Sequence, residues 1–137
     1  MTLKLVPVPA NFIDKAWNEG ASILAEACEK SGGEIESGQL KMILSRGERI
    51  LIRMDNDDKA VGWCAVRVDQ LPNFRVLHIC ELAASNAQFE LFYPLMVDIA
   101  FSLGCSRIRC AAQPAQARLY QSKCGFKPVY EILEVIL

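Results

Sequence analysis

The sequence predicts an α/β sandwich, a mixed and largely antiparallel sheet of about six strands with helices on both faces, in the order β-α-α-β-β-β-α-β-α-β. Three observations carry that expectation. Apolar residues recur at three- and four-residue steps through Phe12, Ile13, Ala16, Trp17, Ile23, Leu24, Ala27 and Cys28, and again through Phe92, Leu95, Met96, Ile99 and Leu103, the spacing of helices laid against a sheet. Between them, from Glu48 to about Ala83, the period falls to two, as in strands. After them, a strand from Arg107 to Ala111 follows a helix that itself follows a strand, which requires a parallel, right-handed crossover.

Taken in order, Leu3 to Val6 reads as a short strand stopped by Pro7 and Pro9, with Asn11 capping a single helix from Phe12 to about Lys30. Ser31-Gly32-Gly33 ends that helix. A shorter one from Gln39 to Ser45 turns Leu40, Ile43 and Leu44 inward. Arg49 to Met54 and Val61 to Asp69 form an antiparallel hairpin across the polar turn Asp55-Asn56-Asp57-Asp58-Lys59, and Arg75 to about Ala83 adds the next strand of a meander. Two readings stand for Ala84 to Gly104: a helix starting at Ser85 and kinked by Pro94, or a loop with the helix starting at Pro94. Val129 to Leu137 reads as a last strand, so apolar that it needs either a place in a six-stranded sheet or a second copy, a homodimer, to cover it.

Composition bounds the function. With 137 residues, 52% hydrophobic and 23% charged, the chain reads as one globular domain over residues 1–137, and disordered or collagen-like classes drop out. Fifteen basic and sixteen acidic side chains give a net charge of -1, so no global field draws it to nucleic acid or to a membrane surface. No apolar stretch approaches the roughly 20 residues of a membrane span, and MTLKLVPVPA is too short an apolar run for a signal peptide, which makes a cytoplasmic protein the expectation. The six cysteines form no C-x-x-C and His78 is the only histidine, so no metal site is expected. The thiols read as buried and free, with Cys124 the candidate for a reactive one. The acidic turn at Asp55, Asp57 and Asp58 lacks the glycine and distal glutamate of a calcium loop.

The stretch from Cys110 to Phe126, CAAQPAQARLYQSKCGF, holds Ala117, Leu119, Tyr120, Lys123, Gly125 and Phe126, and it resembles the late segment of the GNAT superfamily, the acyl-CoA-dependent N-acyltransferases. Counted back from Gly125-Phe126 without a gap, Gln121 takes the family's tyrosine position and Tyr120 stands one place early, a rotation of about 100° on a helix. The order of elements is similar to the family's over nearly the whole chain.

The resemblance implies acetyl-CoA wedged between the fourth and fifth strands, its pyrophosphate on the backbone of a glycine-rich loop that opens the next helix. It would place the carrier against Leu82, Ala84, Asn86, Ala87 and Gln88. This chain is a divergent match, because Ala84-Ser85-Asn86-Ala87-Gln88-Phe89-Glu90 has neither glycine nor a basic residue. Ser85 and Gln88 fit a capping box that would occupy the helix's own donors, so weak or absent binding of acetyl-CoA is also an expectation. The acceptor implied is an amine of a small molecule or a protein.

Acyl transfer to an amine needs a base and an acid. Glu81 is the carboxylate of the run from Val76 to Ala84, either a base at the cleft or an exposed residue on the strand's polar side. It lies three residues from His78, on the opposite face of a regular strand unless a bulge intervenes. Tyr120 is the acid the resemblance implies if an extra residue between Gln121 and Cys124 is absorbed before Gly125, and otherwise a core residue. An alternative function, a GNAT-like fold emptied of catalysis and serving as a binding or assembly module, fits the same departures.

Overall fold

Strands β1 (Leu3–Val8), β2 (Ile50–Asn56), β3 (Lys59–Gln70), β4 (Arg75–Ala83) and β5 (Arg107–Cys110) lie side by side in chain order in one sheet, in a computed structural model that describes residues 1–137. The first four pair antiparallel, and β5 joins β4 in parallel. The turn between β2 and β3 puts Asp57 at φ 50 and Asp58 at φ 67, the left-handed pair that a two-residue hairpin turn needs and that aspartate tolerates. β1 continues past Pro7, which pairs with Ile52; β1 is an edge strand, so the N–H that proline lacks costs the ladder little.

The helix expected from Phe12 to Lys30 is broken. A 3-10 turn (Ala10–Phe12) leads into α1 (Ile13–Glu19), Gly20 follows at φ 137, and a second 3-10 turn (Ala21–Leu24) precedes α2 (Ala25–Glu29). A Cβ at Gly20 would come within 3.3 Å of the Trp63 indole nitrogen, so the break lets the backbone pass close to that ring. It also shifts the phase of the inward face. Phe12 and Ile23 turn to solvent, while Ile13, Ala16, Leu24 and Cys28 are buried.

α3 (Ser37–Ser45) opens with Gln39 Oε1 accepting the Glu36 N–H at 2.9 Å and buries Leu40 and Leu44. α4 (Asn86–Ser102) starts from a Ser85 cap and continues past Pro94, which decides for the helix starting at Ser85 over the loop. Its apolar face is the expected one, with Phe92 and Met96 buried. α5 (Pro114–Cys124) has proline in its first turn and ends at Gly125 in the left-handed conformation.

Leu51 and Ile52 illustrate how the sheet divides two cores. Leu51 joins Ile13, Leu24, Leu40, Leu44 and Trp63 under α1 to α3, and Ile52 joins Val66, Leu77, Phe89, Met96 and Tyr120 under α4 and α5. The result is three layers. The sheet has five strands rather than six, because residues 125–137 carry neither helix nor strand and their apolar side chains are exposed from Val129 onward. An apolar strand is held by the edge it pairs with, and this segment pairs with none within the chain. Cys28, Cys64 and Cys105 are buried, the other three thiols half-buried, and all six are unpaired. No helix is long and apolar enough to cross a membrane.

Candidate active site between strands β4 and β5

β4 and β5 stay in register only from Val76 and Arg107 to Ile79 and Cys110. Past that point β4 runs on to Ala83 while the other chain leaves Cys110 for α5, so the strands part and the edge of β4 loses its partner. The opening is a cleft of about 1100 Å³, walled by β4 from Ile79 to Ala83, by Ala84, Ser85 and Phe89 at the start of α4, by Cys110, Gln116 and Tyr120 on the side of β5 and α5, and by residues of α2 and α3.

Glu81 owes its place to a bulge. Ala65 faces Glu81 across the ladder, and the next residue of β3, Val66, faces Ile79, which leaves Cys80 as the extra residue of β4. Without the bulge, His78 and Glu81 would stand on opposite faces. With it, both share the face of Ala65 and Arg67, the side covered by α1 to α3.

Glu81 is 8% exposed, so the exposed alternative is excluded. Its two oxygens accept from Arg49 Nη1 at 2.8 and 2.7 Å. Burial raises the Glu81 carboxyl above the ordinary glutamate range, and the Arg49 charge opposes that rise without cancelling it. His78 is pushed the other way, its pKa lowered by burial and then by the positive charge of Arg67, which favours the neutral imidazole. Arg49 is the site residue that sequence reasoning missed. It sits 32 positions from Glu81 at the entry to β2, and only the pairing of β2, β3 and β4 brings the two together.

Tyr120 lies at the opposite wall, 5% exposed, its ring 4.6 Å from that of Phe89 and 5.8 Å from that of Phe126. Burial, then the neighbouring Cys110 and Cys124, push its hydroxyl up to about 12. The irregular turn thought necessary to bring it inward is absent. α5 is continuous to Cys124, and the N–H groups of Gly125 and Phe126 both close onto the Tyr120 carbonyl, the ordinary finish of a helix ending in a left-handed glycine. Tyr120 faces inward and Gln121 faces solvent in that regular helix, so the tyrosine is at once a core residue and a wall of the cleft.

At the start of α4 the capping box is half made. Ser85 Oγ accepts the Gln88 N–H at 3.2 Å, but the Gln88 side chain returns no bond, and its Oε1 is buried with no partner. Gln88 N–H is therefore taken by the protein, while those of Asn86 and Ala87 have no acceptor in the chain.

No family model and no curated protein matches the sequence. Solved structures do match. A ribosomal-protein-alanine N-acetyltransferase from Brucella melitensis biovar Abortus 2308 superposes with a TM-score of 0.71 at 11% identity, over 99% of this chain and all of that one. An acetyltransferase of Trypanosoma brucei gives 0.64 at 13%, over 99% and 100%. An aminoglycoside acetyltransferase from a soil metagenome, solved with sisomicin, gives 0.60 at 17%, over 98% and 93%. The protein has the GNAT fold.

In a GNAT fold the gap between β4 and β5 is where acyl-CoA is implied, and the groups along this gap fit it in part. β4 offers an unpaired backbone edge at Leu82 and, just beyond, Ala84, suited to amides of an extended ligand. Asn86 and Ala87 offer two N–H groups at a helix N-terminus, suited to a phosphate. Gln88, expected against the carrier, does not line the cleft: its backbone donor is taken by Ser85 and its side-chain oxygen is buried. The segment has no glycine, and those two N–H groups are its free backbone donors.

Proposed function

We propose that the protein is an N-acetyltransferase that takes the acetyl group of acetyl-CoA and delivers it to a primary amine of a small molecule or a protein. The observation that carries this reading is the parting of β4 and β5 after Ile79 and Cys110, with a buried carboxylate on one wall and a buried phenol on the other. When bound, acetyl-CoA supplies an activated acyl carbonyl. The chain supplies the proton chemistry. An ammonium cannot attack, so the acceptor must lose a proton, and the Glu81 carboxylate, made more basic by burial, is suited to take it. Arg49 holds that carboxylate in one orientation. Tyr120 keeps its proton until about pH 12, so at any working pH it presents an O–H donor to the cleft. Leu82, Ala84, Asn86 and Ala87 would hold the carrier through backbone groups.

A second reading, a binding or assembly module without catalysis, draws on the bond that ties both Glu81 oxygens to one guanidinium and on the reduced phosphate grip. One experiment separates the two. Thiol release from acetyl-CoA is followed over a broad panel of amines with the wild-type protein and with Glu81→Gln. The proposal expects release that depends on the amine and is lost in the variant. No release with any amine, together with no heat of acetyl-CoA binding by calorimetry, favours the module.

A further inference from the structure

On the face of the sheet that carries Glu81, one row of side chains is cationic. Arg67 of β3 pairs with His78 of β4, and His78 pairs with Arg109 of β5, so the three stand abreast on that face. The charges of Arg67, Asp69, Arg49 and Arg109 all reach the His78 ring, and three of the four are positive. Like charges set side by side on a sheet are destabilising unless an anion answers them. Two of the guanidiniums are answered within the chain. Arg49 holds Glu81 through Nη1, and Arg67 gives Asp69 one bond, Nε to Oδ1 at 2.8 Å. Arg109 has no carboxylate; its guanidinium lies 5.3 Å from the centre of the Phe74 ring, and that of Arg107, also without a carboxylate, lies at 3.9 Å. Water reaches the row, for the Arg67 and Asp69 side chains are 39% and 32% exposed, and His78 and Arg109 are half-buried.

The row adjoins the cleft. Ile79, Cys80 and Cys110 line the cleft, and His78 and Arg109 are the next residues back along β4 and β5. Arg67 Nη1 lies 3.8 Å from the Cys80 sulfur, so its guanidinium leans toward the opening. Glu81 faces Ala65 and His78 faces Arg67, which sets the carboxylate and the row two residues of β3 apart, about 7 Å, on one face.

We infer that the acceptor carries an anionic group, a carboxylate or a phosphate, about 7 Å from its amine, and that Arg109 and Arg67 bind this group beside His78 while the amine meets Glu81. This rests on the acetyl transfer proposed above and names the class of its acceptor. Arg109 supplies the unanswered charge, and Arg67 the nitrogen that Asp69 and Cys80 leave free. A neutral amine leaves that charge unanswered, and a diamine brings a further cation to it.

His78 is the single histidine of the chain, so its ring is a one-site reporter for the test. Its ring signals are followed by NMR across pH in the wild-type protein with aminohexanoate, aminopentyl phosphate, aminohexanol or diaminohexane, and thiol release from acetyl-CoA is measured with each amine. An anionic amine should move the His78 titration to higher pH, because its charge opposes that of the neighbouring guanidiniums, while aminohexanol and diaminohexane should not. KM should be about ten- to a hundredfold lower for the better anionic amine than for aminohexanol, and which anion is better tells carboxylate from phosphate. Arg109→Gln should bring that ratio near one, and Arg109→Lys should keep most of it. Should Arg109→Gln unfold, the wild-type ratio and the His78 titration still decide. The two readings fail separately. A His78 response to the anionic amines without thiol release leaves the anion site standing and overturns the transfer. Thiol release with the same KM for all four amines leaves the transfer standing and overturns the anion site. So does an equal His78 shift with acetyl-CoA and no amine, which would give the row to the carrier's phosphates.

Discussion

Glu81 is pulled by two opposing effects, and which wins sets a measurable pH. Burial raises its pKa from the usual 4.5, and Arg49 works against the rise. If its carboxylate takes the acceptor's proton, kcat/KM corrected for amine ionisation falls as pH drops through a value above the ordinary glutamate range, and Glu81→Gln flattens that limb while lowering the plateau. Stability carries the opposite sign. A carboxyl whose folded pKa is raised binds its proton more tightly in the native state, so its contribution is complete below the unfolded pKa and is lost as pH rises through the folded one. Urea midpoints of the wild type should therefore drop across that window relative to Glu81→Gln. Tyr120 gives a second test. Its hydroxyl makes no hydrogen bond with the protein, so Tyr120→Phe keeps the contacts with Phe89 and Phe126 and should leave Tm nearly unchanged. Acetyl transfer should fall by about 10² to 10⁴, the usual worth of a positioned acid. Gln121→Ala, at an exposed position, should alter neither; full activity in Tyr120→Phe removes the phenol from the chemistry.

Among the elements, β4 and the start of α4 form the wall on which the cleft depends, and Gly62 of β3 lets them lie where they do. A Cβ at Gly62 would meet Ala84 Cβ at 2.9 Å and the Ala83 carbonyl and Met54 Sδ at 3.0 Å. Two of those atoms belong to the segment that ends β4 and leads to the Ser85 cap, and they cannot swing aside as a flexible side chain would. Gly62→Ala should destabilise by about 1–3 kcal/mol through overpacking. It should also weaken acetyl-CoA binding in the protein that remains folded, because Ala84 and the free N–H groups of Asn86 and Ala87 move with the strand. Chemical denaturation and calorimetry read the two effects separately. An unchanged midpoint would mean that the sheet yields at β3 without cost.

For the molecule as a whole, the reduced phosphate grip predicts weak capture of acetyl-CoA. Two charge-assisted donors fewer, at roughly 1.5–3 kcal/mol each, amount to a factor of a hundred or more in affinity. Binding should be weaker than micromolar, and thermal stabilisation should appear only at high ligand, since a gain of about 2.7 kcal/mol needs a concentration a hundred times Kd. Submicromolar affinity by calorimetry would show that Asn86, Ala87 and the β4 edge suffice without glycines.

The sequence by itself determined the order of the elements from β2 to α5, because periodicity is local: the meander from Ile50 to Ala83 and the inward face of Phe92 and Met96 follow from which residues alternate or recur. It also carried the family likeness of the fold in the spacing from Ala117 to Phe126. Tertiary structure decided what no local pattern encodes. Gly20 breaks the first helix where the backbone passes the Trp63 ring, so Phe12 and Ile23 left the core. The bulge at Cys80 brought His78 and Glu81 to one face, and strand pairing delivered Arg49 to Glu81 across 32 residues. Gln88 satisfied the sequence rule for a capping box yet made only half of it, because its side chain is buried away from the cap. Val129 to Leu137 reads as a strand by composition, but a strand exists only where an edge receives it, and no edge within the chain does so.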